Sequence, residues 1–116
     1  MVDTSTVQGT EALIEQRKDI LKEIERLRLA LSAEVDPTEE EADPEIIERE
    51  KTLVVLRALE RKLEEIDFAL RAAKQGTYGI CEVCGEPIDP ARLRIMPEAT
   101  MCVPCKSATE RRTRRY

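Results

Sequence analysis

The chain has 116 residues, enough for one small domain or one domain with an appendage. Its 19 basic and 24 acidic side chains leave a formal charge of −5, which argues against a general duplex-DNA binder, so no sequence-specific DNA binding is expected. There is no His, which excludes His-based acid–base or nucleophilic catalysis, and with no nucleophile–base pair in view the chain does not read as an enzyme.

Ala, Glu, Lys, Leu and Arg supply 59 of the 116 residues, the composition of a long helix or coiled coil. Residues 1–9 read as a disordered lead-in, polar and without a signal-peptide profile. The longest purely apolar run, 53–56, is four residues, so no membrane span is expected and a cytoplasmic setting follows. From residue 10 to about 34 the pattern is helical. Leu13, Ile20 and Leu27 form one seven-residue series, and Ile24 and Leu31 a second, offset by four. Thr10 is the candidate N-cap. Arg17 falls on the seam and reads as a fraying or register-setting point.

Two Asp-Pro steps follow, Asp36-Pro37 and Asp43-Pro44. Each has the form of an N-cap with a first-turn proline. The first can start only a short turn through 38–42. The second starts a long helix that runs to about residue 75, with Gly76 as its stop. Within it Thr52, Leu56, Leu59, Leu63, Ile66, Leu70 and Ala73 alternate spacings of four and three, a sustained heptad seam. Two such helices joined by a polar stretch fold most simply as an antiparallel coiled-coil hairpin over 10–75. The alternative is a pair of helices that dimerise with a second chain, because a lone two-helix seam buries little apolar surface. Leu29, Leu53, Val54 and Val55 lie outside the seams and leave room for that.

From Gly76 the style changes to a compact, Gly- and Pro-punctuated unit over 76–116 that ends in a short C-terminal helix and a basic tail. Its four cysteines form two C-x-x-C pairs, Cys81/Cys84 and Cys102/Cys105, separated by seventeen residues. That spacing is typical of a four-cysteine zinc site. Two residues between cysteines let both sulfurs of a knuckle reach one ion, and Gly85 suits the tight turn after the first pair. Four protein ligands close the site, so one zinc ion is structural rather than catalytic. Redox-active or disulfide cysteines are the competing reading. Few apolar residues surround the site, so metal binding supplies much of this unit's folding free energy.

Charge is unevenly spread. Residues 34–50 hold nine acids against Arg49 alone, at what becomes the far tip of the hairpin. A solvated loop is one reading; an acidic probe for a basic or metal-containing cleft is the other. At the opposite end Arg111, Arg112, Arg114 and Arg115 form a basic surface suited to phosphate, nucleic acid or an acidic protein.

The segment Gly76-Thr77-Tyr78-Gly79-Ile80-Cys81-Glu82-Val83-Cys84-Gly85, followed by Pro87-Ile88, Arg92-Leu93, Pro97, Ala99-Thr100 and Cys102-Val103-Pro104-Cys105, resembles the DksA/TraR group of bacterial transcription regulators. The lead-in Ile66-Asp67-Phe68-Ala69-Leu70 resembles it as well. The resemblance implies a mainly α protein: an antiparallel two-helix hairpin, a four-cysteine zinc finger and a short C-terminal helix. It also implies direct binding to RNA polymerase, with the hairpin in the secondary channel and altered promoter-complex stability, often together with ppGpp. The well-known members carry Asp-x-x-Asp-x-Ala at the tip. Here the matching stretch is Glu40-Glu41-Ala42-Asp43-Pro44-Glu45, with acids at the first two positions and Glu45 for the alanine. Glu40 and Asp43 are thus the expected tip contacts, with Glu39 and Glu41 beside them. The N-terminal region is short for the family, so a ppGpp response is not carried over. The rival readings are a nucleic-acid-binding zinc module, which lacks the usual aromatic platform, and a structural coiled-coil adaptor.

Overall fold

The computed structural model describes residues 4–32 and 44–114. They form four helices: α1 (Thr4–Ser32), α2 (Pro44–Gln75), α3 (Pro90–Ile95) and α4 (Val103–Arg114). Helices α1 and α2 pack side by side as the hairpin, and the remaining residues form the cysteine-bearing unit at its base.

The hairpin is held by the expected seam. Leu13, Ile20, Ile24 and Leu27 of α1 are buried against Leu56, Ile66 and Ala69 of α2, with Leu31, Leu59, Leu63 and Leu70 packed at the margins. Ala69 lies outside the predicted seam. It is nevertheless 2% exposed and belongs to the same buried cluster as Leu13 and Ile66. Arg17 is not a fraying point. Its Nε donates to Asp67 Oδ1 of α2 at 2.7 Å, and Arg28 reaches Glu60 at 3.2 Å higher along the same side. Both pairs are substantially exposed, so they define register more than they stabilise it.

The expected lead-in over 1–9 is corrected from Thr4 onward: α1 begins there, and Thr10 is an interior helical residue, not the cap. The reason is tertiary. A side chain at Gly9 would collide with the Tyr78 ring and hydroxyl, so α1 and the cysteine unit meet closely at this glycine. That contact holds helical a segment whose own propensity is poor.

Helix α2 starts at Pro44 and ends at Gln75, as the sequence predicts. Its end is a Schellman motif. Gly76 adopts φ +79°, its N–H donates to Ala73 O at 3.3 Å, and Thr77 N–H donates to Ala72 O at 2.8 Å. Helix α3 is a third Asp-Pro start: Asp89 accepts from Ala91 N–H at 2.9 Å, and Pro90 occupies the first turn. The caps Asp36 and Asp43 and the short turn over 38–42 lie outside the described residues. Among the described residues no helix is long and apolar enough to cross a membrane.

Candidate metal centre

The cysteine unit is built on a short antiparallel bridge between Ile80 and Pro87. Cys81 N–H donates to Glu86 O at 2.8 Å, and Ile88 N–H to Gly79 O at 2.7 Å. Gly79 has φ +82°, so the turn into the first knuckle favours glycine, and an added Cβ would also press on Leu93 Cδ1 at 3.2 Å. Gly85, at φ +76°, closes the knuckle. Its N–H donates to the Cys81 carbonyl at 3.0 Å rather than to a sulfur. A 2.9 Å bond from Glu82 N–H to Thr100 O ties the first knuckle to the approach of the second. The second knuckle opens α4, so Cys105 sits in that helix's first turn.

This scaffold brings all four sulfurs, of Cys81, Cys84, Cys102 and Cys105, within 4.8 Å of one another. The Cys84 and Cys102 sulfurs are 3.8 Å apart, and all four cysteines are free of disulfides. A tetrahedral ZnS4 centre with Zn–S near 2.3 Å has sulfur–sulfur edges of about 3.8 Å. The donor set and its spacing therefore fit zinc, and the site is closed, with all four positions supplied by protein. Cys81 is buried, Cys84 exposed, and Cys102 and Cys105 half-buried.

The electrostatics of the cluster call for a cation. Backbone N–H groups of Cys84 and Cys102 point at the Cys81 sulfur and draw its thiol down to about 6. At Cys84 the Glu86 N–H acts in the same direction, but the neighbouring Cys81 and Cys102 sulfurs outweigh it, and the thiol is raised. Cys105 is pushed up to about 12, chiefly by the Cys102 sulfur and then by burial. Four sulfurs this close resist ionising together, and a dication supplies the missing charge. Because Cys84 and Cys105 sit above the usual thiol range, both are protonated at pH 7 without metal. Zinc binding then releases their protons, and affinity rises with pH. Calorimetric titration in buffers of different ionisation enthalpy should read at least two protons released per zinc at pH 7. Release of fewer than one would contradict this arrangement.

Two residues that attach the unit to the rod escape sequence reasoning. Tyr78 packs on the hairpin core, meets Gly9, and donates its hydroxyl to Pro97 O at 3.1 Å. Burial, and then the Glu98 carboxylate, raise the phenol's pKa, so it stays a neutral donor. Glu98 is buried on the rod side, with Lys62 Nζ of α2 at 3.8 Å from Oε1. Tyr78 is signalled only as part of the family-like segment Gly76–Gly85, which says nothing of what it packs on; Glu98 gives no signal, since an acid in a turn reads as surface.

Of the remaining predicted residues, Arg111 and Arg112 are exposed on α4, and Arg114 ends that helix. Glu39, Glu40, Glu41, Asp43 and Arg115 lie outside the described residues. Glu45, Glu48 and Glu50, at the start of α2, are exposed. Helix α2, 32 residues long, carries them about 39–46 Å from Gly76 at 1.5 Å per residue.

Residues 76–111 match the family described as prokaryotic dksA/traR C4-type zinc finger. The chain is 38% identical over 106 residues to "RNA polymerase-binding transcription factor DksA" of Caulobacter vibrioides, covering 90% of this chain and 75% of that relative. It is 33% identical over 95 residues to the protein of the same name from Haemophilus influenzae, covering 80% of this chain and 66% of the other. Among solved structures, transcription factor DksA2 from Pseudomonas aeruginosa superposes with a TM-score of 0.74 at 28% identity, covering 97% of this chain and 88% of that one. A zinc-fitting C4 cluster at the base of a two-helix hairpin, together with sequence likeness running through both parts, places this chain in the DksA/TraR family.

Proposed function

We propose that this protein is a non-enzymatic transcription regulator that binds RNA polymerase directly. The acidic end of its hairpin enters the secondary channel, and the stability of promoter complexes changes as a result. The observation that carries this reading is the polarity of the rod. A single hairpin about 48 Å long bears acids at one end and is stapled at the other to a zinc-fitting head with a basic helix. Relatives that share 33–38% of the sequence are named for binding RNA polymerase, which supports the same partner here. In this reading Glu40 and Asp43 make the tip contacts, flanked by Glu39 and Glu41. The basic surface of Arg111, Arg112, Arg114 and Arg115 rests on an acidic patch of the polymerase exterior. The zinc holds the head so that both ends engage at once. The protein acts where the polymerase is, in the cytoplasm.

The test is the lifetime of a competitor-challenged promoter complex. Wild-type protein should change that lifetime several-fold. The double substitution Glu40→Gln/Asp43→Asn should abolish most of the change without altering the helical circular dichroism. A double variant as effective as wild type would move the activity away from the tip.

A further inference from the structure

The seam does not use all of the apolar surface on α1. Ile14, Leu21 and Leu29 remain 45%, 38% and 66% exposed. Their spacing of seven and eight residues puts them on one stripe beside the seam. Lys18 and Glu25 lie on the same stripe, exposed, and neither takes part in an ion pair among the described residues. Near the tip end the stripe opens into a shallow groove of about 440 Å³ that includes Leu21, Glu25, Arg28 and Leu29.

The order of these residues is symmetric about a point between residues 21 and 22. Lys18 and Glu25 stand three and four residues to either side of Leu21, and Ile14 and Leu29 seven and eight. We infer that this stripe is a self-association surface, on which a second copy of the chain docks antiparallel, with the twofold axis passing beside Leu21. In that arrangement the two Leu21 side chains meet at the axis. Lys18 of each copy faces Glu25 of the other, and Ile14 of each enters the other's groove beside Leu29. The interface is isologous, so every favourable contact occurs twice. A parallel pairing would set Lys18 on Lys18 and Glu25 on Glu25, which like-charge repulsion disfavours. Charges of opposite sign at positions 18 and 25, centred like 14 and 29 on a point between residues 21 and 22, are what a copy of the same surface needs. The long-range charges agree with this, because each hairpin's acidic end then lies at the level of the other's zinc unit, where Arg111 and Arg112 stand exposed. The contact is small and depends on concentration. It does not depend on the polymerase reading.

The experiment is sedimentation velocity of the full, zinc-loaded chain over a wide concentration series. Wild-type protein should shift from monomer to dimer as concentration rises. Lys18→Glu alone and Glu25→Lys alone should each remain monomeric, because each places like charges across the interface twice. Mixed in equal amounts, the two variants should restore the dimer, because both cross-pairs are again opposite in sign. The positions are exposed, and unchanged helical circular dichroism checks that the variants fold. Wild-type protein that stays monomeric throughout would overturn the inference. So would a dimer that survives both single changes, which would put another face in contact, or a mixture that stays monomeric, which would leave the stripe to another occupant such as residues 33–43 or a different protein.

Discussion

Stripping the metal with a chelator under reducing conditions should unfold the cysteine unit while leaving most of the helical circular dichroism in place. The unit has little else to hold it. Around the four cysteines Ile88 is the one large apolar side chain that is buried, and Ile80, Val83, Ile95, Met96 and Val103 are exposed. Structural zinc contributes on the order of 10 kcal/mol or more to small metal-dependent units, far above what one buried isoleucine and a two-residue bridge supply. The hairpin has its own seam and should survive, with one exception. The first turns of α1 lean on Tyr78, so residues before Leu13 should fray when the unit melts. Hydrogen exchange would show protection lost in 76–114 and in the first turns of α1, with 13–32 and 52–70 retained. Cys81→Ser should reproduce this pattern, because it removes the buried ligand that receives the backbone N–H groups. A zinc-free protein with an unchanged exchange pattern would show that the head is held by packing instead.

A second large effect is expected from Ile66→Ala. Ile66 and Leu13 are the largest fully buried side chains among the described residues, and both belong to the hairpin core. Truncating an isoleucine in such a place costs about 2–5 kcal/mol, from lost transfer free energy and the cavity left behind. A small domain has a total stability of about 5–15 kcal/mol, and a two-helix seam sits toward the low end. Urea melts followed by circular dichroism should therefore show a midpoint shifted far to lower denaturant. Val54→Ala, at a side chain 65% exposed, should leave it nearly unchanged. Equal sensitivity at the two positions would mean that the apolar seam is not what holds the rod together.

The sequence made much of this readable where a local signal and the tertiary environment agree. Helix α2 is bounded by a Pro after Asp and a Gly that takes positive φ, both of which act through backbone geometry within a few residues. The two seams follow from heptad spacing, and the cysteine cluster from two knuckles at zinc spacing. What escaped depends on contacts between distant segments. Gly9 reads locally as a helix breaker, yet its missing side chain lets α1 pass against Tyr78. Arg17 interrupts an apolar seam, and only the opposite helix explains it, through Asp67. Glu98 has the sequence look of a surface acid and is buried because the head docks on α2 at Lys62. The start of α3 at Asp89-Pro90 obeys the same rule as the two Asp-Pro steps upstream, but six residues show too little periodicity to announce a helix.

The polymerase reading and the self-association surface rest on different residues and different readouts, so they can be tested apart. The acids and the basic helix sit at the ends of the rod, and the Leu21 stripe runs along its side.

In the proposed reading a zinc-held head and an acidic-tipped rod together form an RNA polymerase ligand. Equilibrium binding of the labelled, zinc-loaded protein to purified RNA polymerase at low salt, with no DNA present, tests it most directly. Saturable binding at one protein per polymerase is expected, and the same preparation stripped of zinc should lose most of its affinity. Absence of saturable binding by the intact, zinc-loaded protein would rule out RNA polymerase as its direct partner.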